Sequence, residues 1–199
     1  MASRRHTDQG NVRKQQLLDC AADLFSTRGY AATRIADICA AAGVAKGLFY
    51  WYFENKEALF AELVASMRQR LRKAQADAMD PAADALSRLR QGSEASVRFM
   101  ARHAGYFALL EVESHDRQVS ALLRQGADVH TADSARLVKE AMAEGLIPDS
   151  REPDLLALGV IGAVAHFGHV QRSGRIAMDV DELAVFVGEW VVAALSGPR

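Results

Sequence analysis

Two lysines flank a run of aromatic residues in the stretch GVAKGLFYWYFENKEALF, residues 43–60. Lys46 and Lys56 each fall in the first turn of a predicted helix, where the helix dipole favours acidic side chains over basic ones. A bound anion reverses that preference, because backbone N–H groups, dipole and ammonium then converge on one negative charge. The placement of the two lysines therefore indicates contacts with phosphate groups.

The five aromatic residues between the lysines cannot all face one core. Neighbouring side chains on a helix point about 100° apart, so the rings must be distributed around the helix. We expect Phe49 and Phe53, four residues apart, to anchor the helix, and Tyr50 and Trp51 to point away from the core. Rings of the latter kind can hydrogen-bond phosphates and pack on thymine methyl groups. The alternative is a rim of half-buried aromatic side chains.

Short helices joined by tight turns are predicted to position these residues. A first helix is expected from about Asn11 to Arg28, ended by Gly29. Thr33 is the expected N-cap of a second helix, RIADICAAA, and Gly43 ends that helix before a third, AKGLFYWY. The pattern is typical of a helix-turn-helix, although an αα-corner fits the spacing equally well. The inward stripe of the first helix is expected to comprise Val12, Leu17, Ala21, Leu24 and Phe25.

Helical periodicity continues to the end of the chain, and no segment has the alternation of a strand. The sequence therefore predicts an all-α protein of about nine helices. The helices expected after the third are 55–79, 82–103, 104–114, 117–144, 154–172 and 180–196.

Composition places only mild limits on function. Residues 1–46 hold seven Lys/Arg and four Asp/Glu, a positive balance that supports nucleic-acid binding only together with a motif. No uncharged apolar run reaches about 18 residues and no signal peptide is recognisable, so we expect a cytoplasmic protein with no membrane partner. Cys20 and Cys39 are expected to be small buried hydrophobic residues, not a disulfide or a ligand pair.

The stretch GVAKGLFYWYFENKEALF, preceded by GYAATRIADI, resembles the signature of TetR-family transcriptional repressors. The resemblance spans about residues 11–60. It implies a helix-turn-helix DNA-binding domain at 1–56, followed by a ligand-binding and dimerisation domain at 57–199.

The resemblance also implies which residues approach DNA. Three of them match backbone-phosphate contacts of the family: Thr33, Tyr52 and Lys56. Four match the family's recognition helix, which approaches bases or phosphates: Lys46, Gly47, Tyr50 and Trp51. The sequence departs from the usual pattern at Ala36, Ala45 and Leu48, and each departure removes a polar contact. Readout is therefore expected to depend on Lys46, Arg34 and apolar contact with thymines.

The last two predicted helices, 154–172 and 180–196, spread apolar residues over more than one face. A peripheral helix of a monomer keeps a broad polar face, so a partner surface is expected, with burial in a larger monomeric core as the alternative. The resemblance implies a homodimer in which these helices form a four-helix bundle. Small residues expected to allow close packing there are Gly159, Gly162, Ala163, Ala165 and Gly188.

Apolar residues mixed with isolated polar ones fill the region 97–142, a pattern that fits a ligand pocket or an amphipathic helix pair. The resemblance implies a pocket for a small-molecule effector, with candidate residues Phe99, His103, Phe107, Glu111, His130 and His166. His166 and His169 share a helix face, but no carboxylate or cysteine lies at local ligand spacing, so neither a metal site nor a cofactor is predicted.

These expectations describe a dimeric repressor that binds a pseudo-palindromic duplex operator and is released by an effector through the fourth helix. An enzyme is not predicted, because no nucleophile–base pair, phosphate cradle or carboxylate-rich metal set occurs at a recognisable spacing. The alternative is a helical adaptor that uses the aromatic residues to bind a protein partner.

Overall fold

The computed structural model describes residues 2–113, 127–149 and 151–197, and these ranges contain nine α-helices and no strand. The prediction of an all-α chain with about nine helices is confirmed. The earlier part of the predicted helix 117–144 lies outside the described ranges. The helices are α1 (Ala2–Arg28), α2 (Ile35–Ala41), α3 (Lys46–Tyr52), α4 (Lys56–Ala78), α5 (Ala85–Arg102), α6 (Ala104–Glu113), α7 (Ala127–Ala143), α8 (Pro153–Arg172) and α9 (Val180–Ser196).

Contacts between Cα atoms divide the chain into two compact units. The first unit is Met1–Met67 with Gly105–Leu122, and the second is Arg68–Ala104 with Leu123–Arg199. This division falls within α4. The predicted division at residue 56 falls at the start of the same helix and stays a prediction.

Glycines end the first two helices, as the sequence predicts. Gly29 follows α1 with a φ of 84°, and Gly43 follows α2 with a φ of 63°. The N–H of Val44 donates to the carbonyl oxygen of Cys39 at 3.0 Å, which closes a Schellman motif around Gly43. A tight turn of this kind brings α3 directly against α2.

The start of α4 agrees with the prediction, and the start of α2 does not. The side-chain oxygen of Asn55 accepts a hydrogen bond from the N–H of Ala58 at 2.7 Å, so Asn55 caps α4. At α2 the N-cap residue is Arg34, and the prediction of Thr33 is wrong. Thr33 is only 1% exposed, and its hydroxyl donates to the carbonyl oxygen of Gly29 at 2.8 Å. The hydroxyl therefore closes the turn after α1 instead of capping α2.

Two residues of the first unit are more exposed than predicted. Val12 is exposed, because at about 100° per residue it lies roughly opposite Phe25 on the helix. Cys39 is buried as predicted, whereas Cys20 is half-exposed. Desolvation raises the pKa of both thiols, so both stay protonated at neutral pH. The buried stripe of α1 comprises Leu17, Leu18, Ala21 and Phe25.

Helix α5 is the central element of the second unit and packs against α7, α8 and α9. Its N-cap is Asp84, whose carboxylate accepts a hydrogen bond from the N–H of Ser87 at 2.7 Å. Ion pairs connect α5 to two of its neighbours, because Arg88 lies 2.8 Å from Glu140 of α7, and Arg98 lies 2.6 Å from Asp181 of α9. The core of α5 consists mainly of Leu86, Leu89, Val97, Phe99 and Met100.

Gly188 belongs to the contact between α9 and α5 within one chain, which corrects its predicted place in a dimer interface. A Cβ atom at this position would lie 2.8 Å from Cγ of Glu94 and 2.9 Å from Cγ of Arg90. The apolar composition of α9 did not reveal which of its faces turns inward. Because Gly188 has no side chain, α9 can approach α5 closely at this position.

We expect Gly188→Ala to lower the free energy of unfolding by about 1–3 kcal/mol, the usual effect of overpacking a filled contact. The neighbouring side chains cannot simply turn aside, because Arg90 and Glu94 are held together by a 2.6 Å ion pair. Denaturant unfolding measures the change. Gly47→Ala is the control, since nothing lies within 4 Å of a Cβ there and stability should stay the same or rise. Equal stability of the two variants would contradict the close contact.

Among the described residues, one helix, α8, is long and apolar enough to cross a membrane by length and composition alone. The expectation that no uncharged apolar run reaches about 18 residues still holds, because Asp154 and Arg172 bound the apolar stretch of this helix. The test is weak for a single helix, because core helices of globular proteins also pass it. Of the stretch of α8 that meets this criterion, 22% is buried in the single chain.

Candidate nucleic-acid interface

The five consecutive aromatic residues divide between two sides of α3, as predicted. Phe49 is fully buried and Phe53 is 4% exposed, with their ring centroids 5.6 Å apart. Tyr50 and Trp51 are 56% and 73% exposed. Large aromatic side chains with this exposure are costly on a free surface and indicate a contact surface.

The outward side of α3 forms one continuous face, which we call the α3 face and define as Lys46, Gly47, Tyr50 and Trp51. All four residues are exposed. At 100° per residue they fall within an arc of about 140°, whereas Phe49 and Phe53 fall outside it. The Lys46 ammonium makes no ion pair or hydrogen bond with any residue that the structure describes. The α3 face thus combines the positive charge of Lys46, the rings of Tyr50 and Trp51, and the exposed backbone at Gly47.

Gly47 has a helical backbone conformation and is not among the glycines of positive φ. No atom lies within 4 Å of the position that a Cβ would take. The fold therefore does not require glycine here, although glycine costs about 0.5–1 kcal/mol relative to alanine within a helix. Close approach of another molecule to the α3 backbone would explain the residue.

Arg34 lies at the start of α2 with a largely exposed side chain that is partly committed to Asp37. Its Nε and Nη2 atoms donate to the two carboxylate oxygens of Asp37 at 3.1 and 3.2 Å. These hydrogen bonds lower the pKa of Asp37, so the pair is fully charged at neutral pH. Asp37 also accepts the backbone N–H of Arg34 at 3.1 Å. Arg34 can thus present charge to a ligand only by sharing its guanidinium with Asp37.

Tyr52, predicted to contact phosphate, uses its hydroxyl within the protein. The hydroxyl donates to the carbonyl oxygen of Gly10 at 2.8 Å, and the ring stacks edge-on against Trp51 at 4.6 Å. The side chain is half-buried. Tyr52 therefore fixes α3 against α1 and supports the ring of Trp51.

Lys56, also predicted to contact phosphate, has hydrogen-bond partners within the protein. Its ammonium donates to the carbonyl oxygens of Tyr30 and Thr33 at 2.8 and 3.0 Å. A bound anion is not needed to explain the lysine at this helix start, because carbonyl oxygens of the same chain supply a negative partial charge, and the phosphate contact of Lys56 stays a prediction. The argument for a bound anion still applies to Lys46, for which the described residues supply no acceptor.

A second exposed surface lies in the second unit, on the outward sides of α8 and α9. The aromatic ring of Phe167 connects these helices, at 5.7 Å from Phe186 and 5.9 Å from Trp190. Gly159 and Gly162 have open space around them. We call this surface the α8–α9 face and define it by its exposed large apolar residues, Leu155, Leu158, Val185, Phe186 and Trp190.

The predicted effector residues occupy different environments. Phe99 is buried, with its ring centroid 4.4 Å from that of His103, and Phe107 is half-buried with its ring 5.2 Å from that of Tyr106. Glu111 is half-exposed.

Two further predicted effector residues, His130 and His166, follow in sequence. The side chain of His130 lies outside the described residues. His166 is exposed on α8, so it adjoins the α8–α9 face instead of lining the interior of its unit. Within the described ranges, no group of three or more His, Cys, Asp and Glu is placed to hold a metal ion.

Sequence reasoning missed the partners of the predicted DNA-contacting residues. The spacing of Arg34 and Asp37 across the first turn of α2 was a readable signal for their ion pair. The acceptors of Tyr52 and Lys56 are backbone carbonyl oxygens, for which no residue type gives a signal.

Comparison with known proteins supports a helix-turn-helix in the same region. The profile of a family described as "Bacterial regulatory proteins, tetR family" matches residues 17–63. The uncharacterized HTH-type transcriptional regulator YdgC of Bacillus subtilis (strain 168) is 40% identical over 65 residues, which are 33% of this chain and 33% of YdgC. The HTH-type transcriptional repressor KstR2 of Mycobacterium tuberculosis (strain ATCC 25618 / H37Rv) is 32% identical over 110 residues, 55% of each chain. The chain thus matches between 33% and 55% of the length of these curated relatives.

The likeness in fold extends over most of the chain. A solved structure of the transcriptional regulator FadR from Bacillus subtilis, in complex with stearoyl-CoA, superposes with a TM-score of 0.79. The match covers 90% of this chain and 97% of FadR at 20% sequence identity. At that identity the comparison establishes a shared all-α fold.

Proposed function

We propose that the protein is a transcriptional regulator that binds duplex DNA through the α3 face, and the match of residues 17–63 to the profile of the tetR family of bacterial regulatory proteins supports this. One observation carries the proposal: Phe49 and Phe53 anchor α3 while Tyr50 and Trp51 are left exposed beside Lys46. The ammonium of Lys46 contacts a phosphate, and the two rings reach the major groove, where aromatic faces can pack on thymine methyl groups. Thr33 and Tyr52 are not part of the proposed contact set, because their hydroxyls donate within the protein.

The proposal includes a homodimer formed through the α8–α9 face. Two helices carry five exposed large apolar residues between them, and exposed apolar surface of this kind indicates an interaction site. Gly159 and Gly162 leave room for close approach of a second α8 helix. Two recognition helices spaced by about 34–36 Å, or a multiple of it, would read the two halves of a pseudo-palindromic operator.

The proposal also includes a small-molecule effector that releases the protein from DNA. The protein then acts as a repressor in the bacterial cytoplasm. The effector can shift the protein between two conformations only if its affinity for them differs. Phe99, His103, Phe107 and Glu111 remain the proposed effector residues. Stearoyl-CoA is the first compound to test, since it is bound in FadR. Thermal stabilisation by the compound, with release of bound DNA, is the expected result.

The role of Lys46 is tested by Lys46→Ala. We expect weaker binding to duplex DNA and a slope of log affinity against log salt that is smaller by about 1, because one phosphate contact is lost. The control is Lys73→Ala, which removes the same charge from α4, where Lys73 pairs with Asp77 at 2.8 Å. Salt titrations by fluorescence anisotropy separate the two. An identical slope for Lys46→Ala and the wild type would remove Lys46 from the interface.

A further inference from the structure

Glu189 lies among the apolar residues of the α8–α9 face. It is exposed on α9, and its neighbours on the helix surface, Val185 and Phe186, are exposed apolar residues that define this face. Its carboxylate makes no hydrogen bond or ion pair with any residue that the structure describes. Burying an uncompensated charge is strongly unfavourable, so whatever covers this face has to present a hydrogen-bond donor to Glu189.

The imidazole of His166 is a donor on the same side of the second unit. His166 is exposed on α8, and its ring centroid lies 6.4 Å from that of His169. An imidazole ring carries at least one N–H group that can donate to a carboxylate. Helix α9 contains no lysine or arginine, and α8 contains none between Leu155 and Gln171. The two histidines are therefore the only basic side chains in these parts of the two helices.

Phe167 fixes the level of His166 along the helix pair. The ring of Phe167 packs against the rings of Phe186 and Trp190, at 5.7 and 5.9 Å. His166 is the adjacent residue of α8, so it lies within about one residue rise, 1.5 Å, of this level. Glu189 lies at the same level, because it falls between Phe186 and Trp190 in sequence. A two-fold axis parallel to the helices preserves the level from one copy to the other.

We propose that His166 of one copy donates a hydrogen bond to the carboxylate of Glu189 in a second copy, so that the homodimer contains this pair twice. The inference rests on the proposed homodimer and identifies the contact that selects its arrangement. An interface between two identical copies has to be complementary to itself. A face that carries a base and an acid at one level meets this condition.

The pairing requires α8 of one copy to lie across from α9 of the second copy. Side-chain size agrees with that arrangement, because Gly159 and Gly162 of α8 have open space around them, whereas α9 presents the large rings of Phe186 and Trp190. Placing α9 across from α9 would instead bring the two Glu189 carboxylates into one contact without a base. Like charges of this kind oppose association.

The test disrupts the pair from each side, with His166→Glu and Glu189→Lys. The first substitution leaves two carboxylates opposite each other, and the second leaves two donors, so we expect the dimer dissociation constant to rise roughly tenfold or more in each. An equimolar mixture of the two variants restores complementary pairs and should recover the dimer. Sedimentation velocity measures the mass, and circular dichroism establishes that each variant is folded. Both residues are exposed in the single chain, so the fold should survive.

Glu182→Lys is the matched control, because Glu182 is also exposed on α9 but lies about two helical turns from Glu189. Mixed with His166→Glu, it should recover less dimer than Glu189→Lys does. Equal recovery would reduce the effect to overall charge and overturn the pairing. The pairing is also wrong if the mixture of His166→Glu and Glu189→Lys stays monomeric, or if each variant alone dimerises like the wild type. A monomeric wild-type chain would instead reject the homodimer, and this inference with it.

Discussion

Replacing Phe49 by alanine is expected to lower the free energy of unfolding of the first unit by about 3–5 kcal/mol and to abolish DNA binding. Phe49 is fully buried, and its ring lies 5.6 Å from Phe53 and 5.4 Å from Tyr50. Helix α3 has only seven residues, too few to be stable without packing. Loss of the Phe49 ring should therefore unfold α3 and with it disrupt the α3 face. Denaturant unfolding and duplex binding measure the two effects.

The matched control is the adjacent aromatic residue, Tyr50. Because Tyr50 is 56% exposed, Tyr50→Ala should change stability by no more than about 0.5 kcal/mol while DNA affinity falls. The Phe49→Ala and Tyr50→Ala variants thus distinguish an effect on folding from an effect on DNA binding. If Phe49→Ala were as stable as Tyr50→Ala, or if Tyr50→Ala bound DNA normally, the division of the aromatic run between core and ligand would be wrong.

Replacing Leu158 by glutamate is expected to separate the proposed homodimer into monomers. Leu158 is 54% exposed on the α8–α9 face of the single chain, so the substitution should leave the monomer folded. In a dimer it would bury a carboxylate in each copy, at an effective cost of several kcal/mol per ion. Loss of the bivalent contact should then weaken operator binding by roughly 10²–10⁴-fold. Light scattering coupled to gel filtration measures the mass.

Val129→Glu is the control for Leu158→Glu. Val129 is 48% exposed on α7 and lies outside the α8–α9 face, so a carboxylate there should leave both the mass and the DNA affinity unchanged. A dimer that persists in Leu158→Glu would exclude this face as the interface. Dissociation of both variants would point to general destabilisation instead.

Periodicity together with turn and capping residues predicted most of the architecture, because helix ends and faces follow from local residue types. The turns at Gly29 and Gly43, the cap at Asn55 and the division of Phe49 from Tyr50 all depend on rules that act within a few residues.

The predictions that failed concern contacts between distant residues. Thr33 was assigned as the N-cap of α2 because its type suits it, yet the N-cap is Arg34 and the Thr33 hydroxyl donates to a carbonyl oxygen of the turn after α1. Gly188 lies on a helix that is apolar on several faces, so composition could not tell the side that meets α5 from the side that is exposed. In both cases the missing information was tertiary geometry.

The central claim, that the α3 face reads duplex sequence, is tested most directly by selection of duplexes from a random library with the wild-type chain. Titration of the enriched duplex against a scrambled version of it follows. We predict enrichment of a pseudo-palindrome that binds about 10³-fold or more tightly than the scrambled duplex. Equal affinity for the two duplexes would contradict the claim and would favour a protein partner for Tyr50 and Trp51.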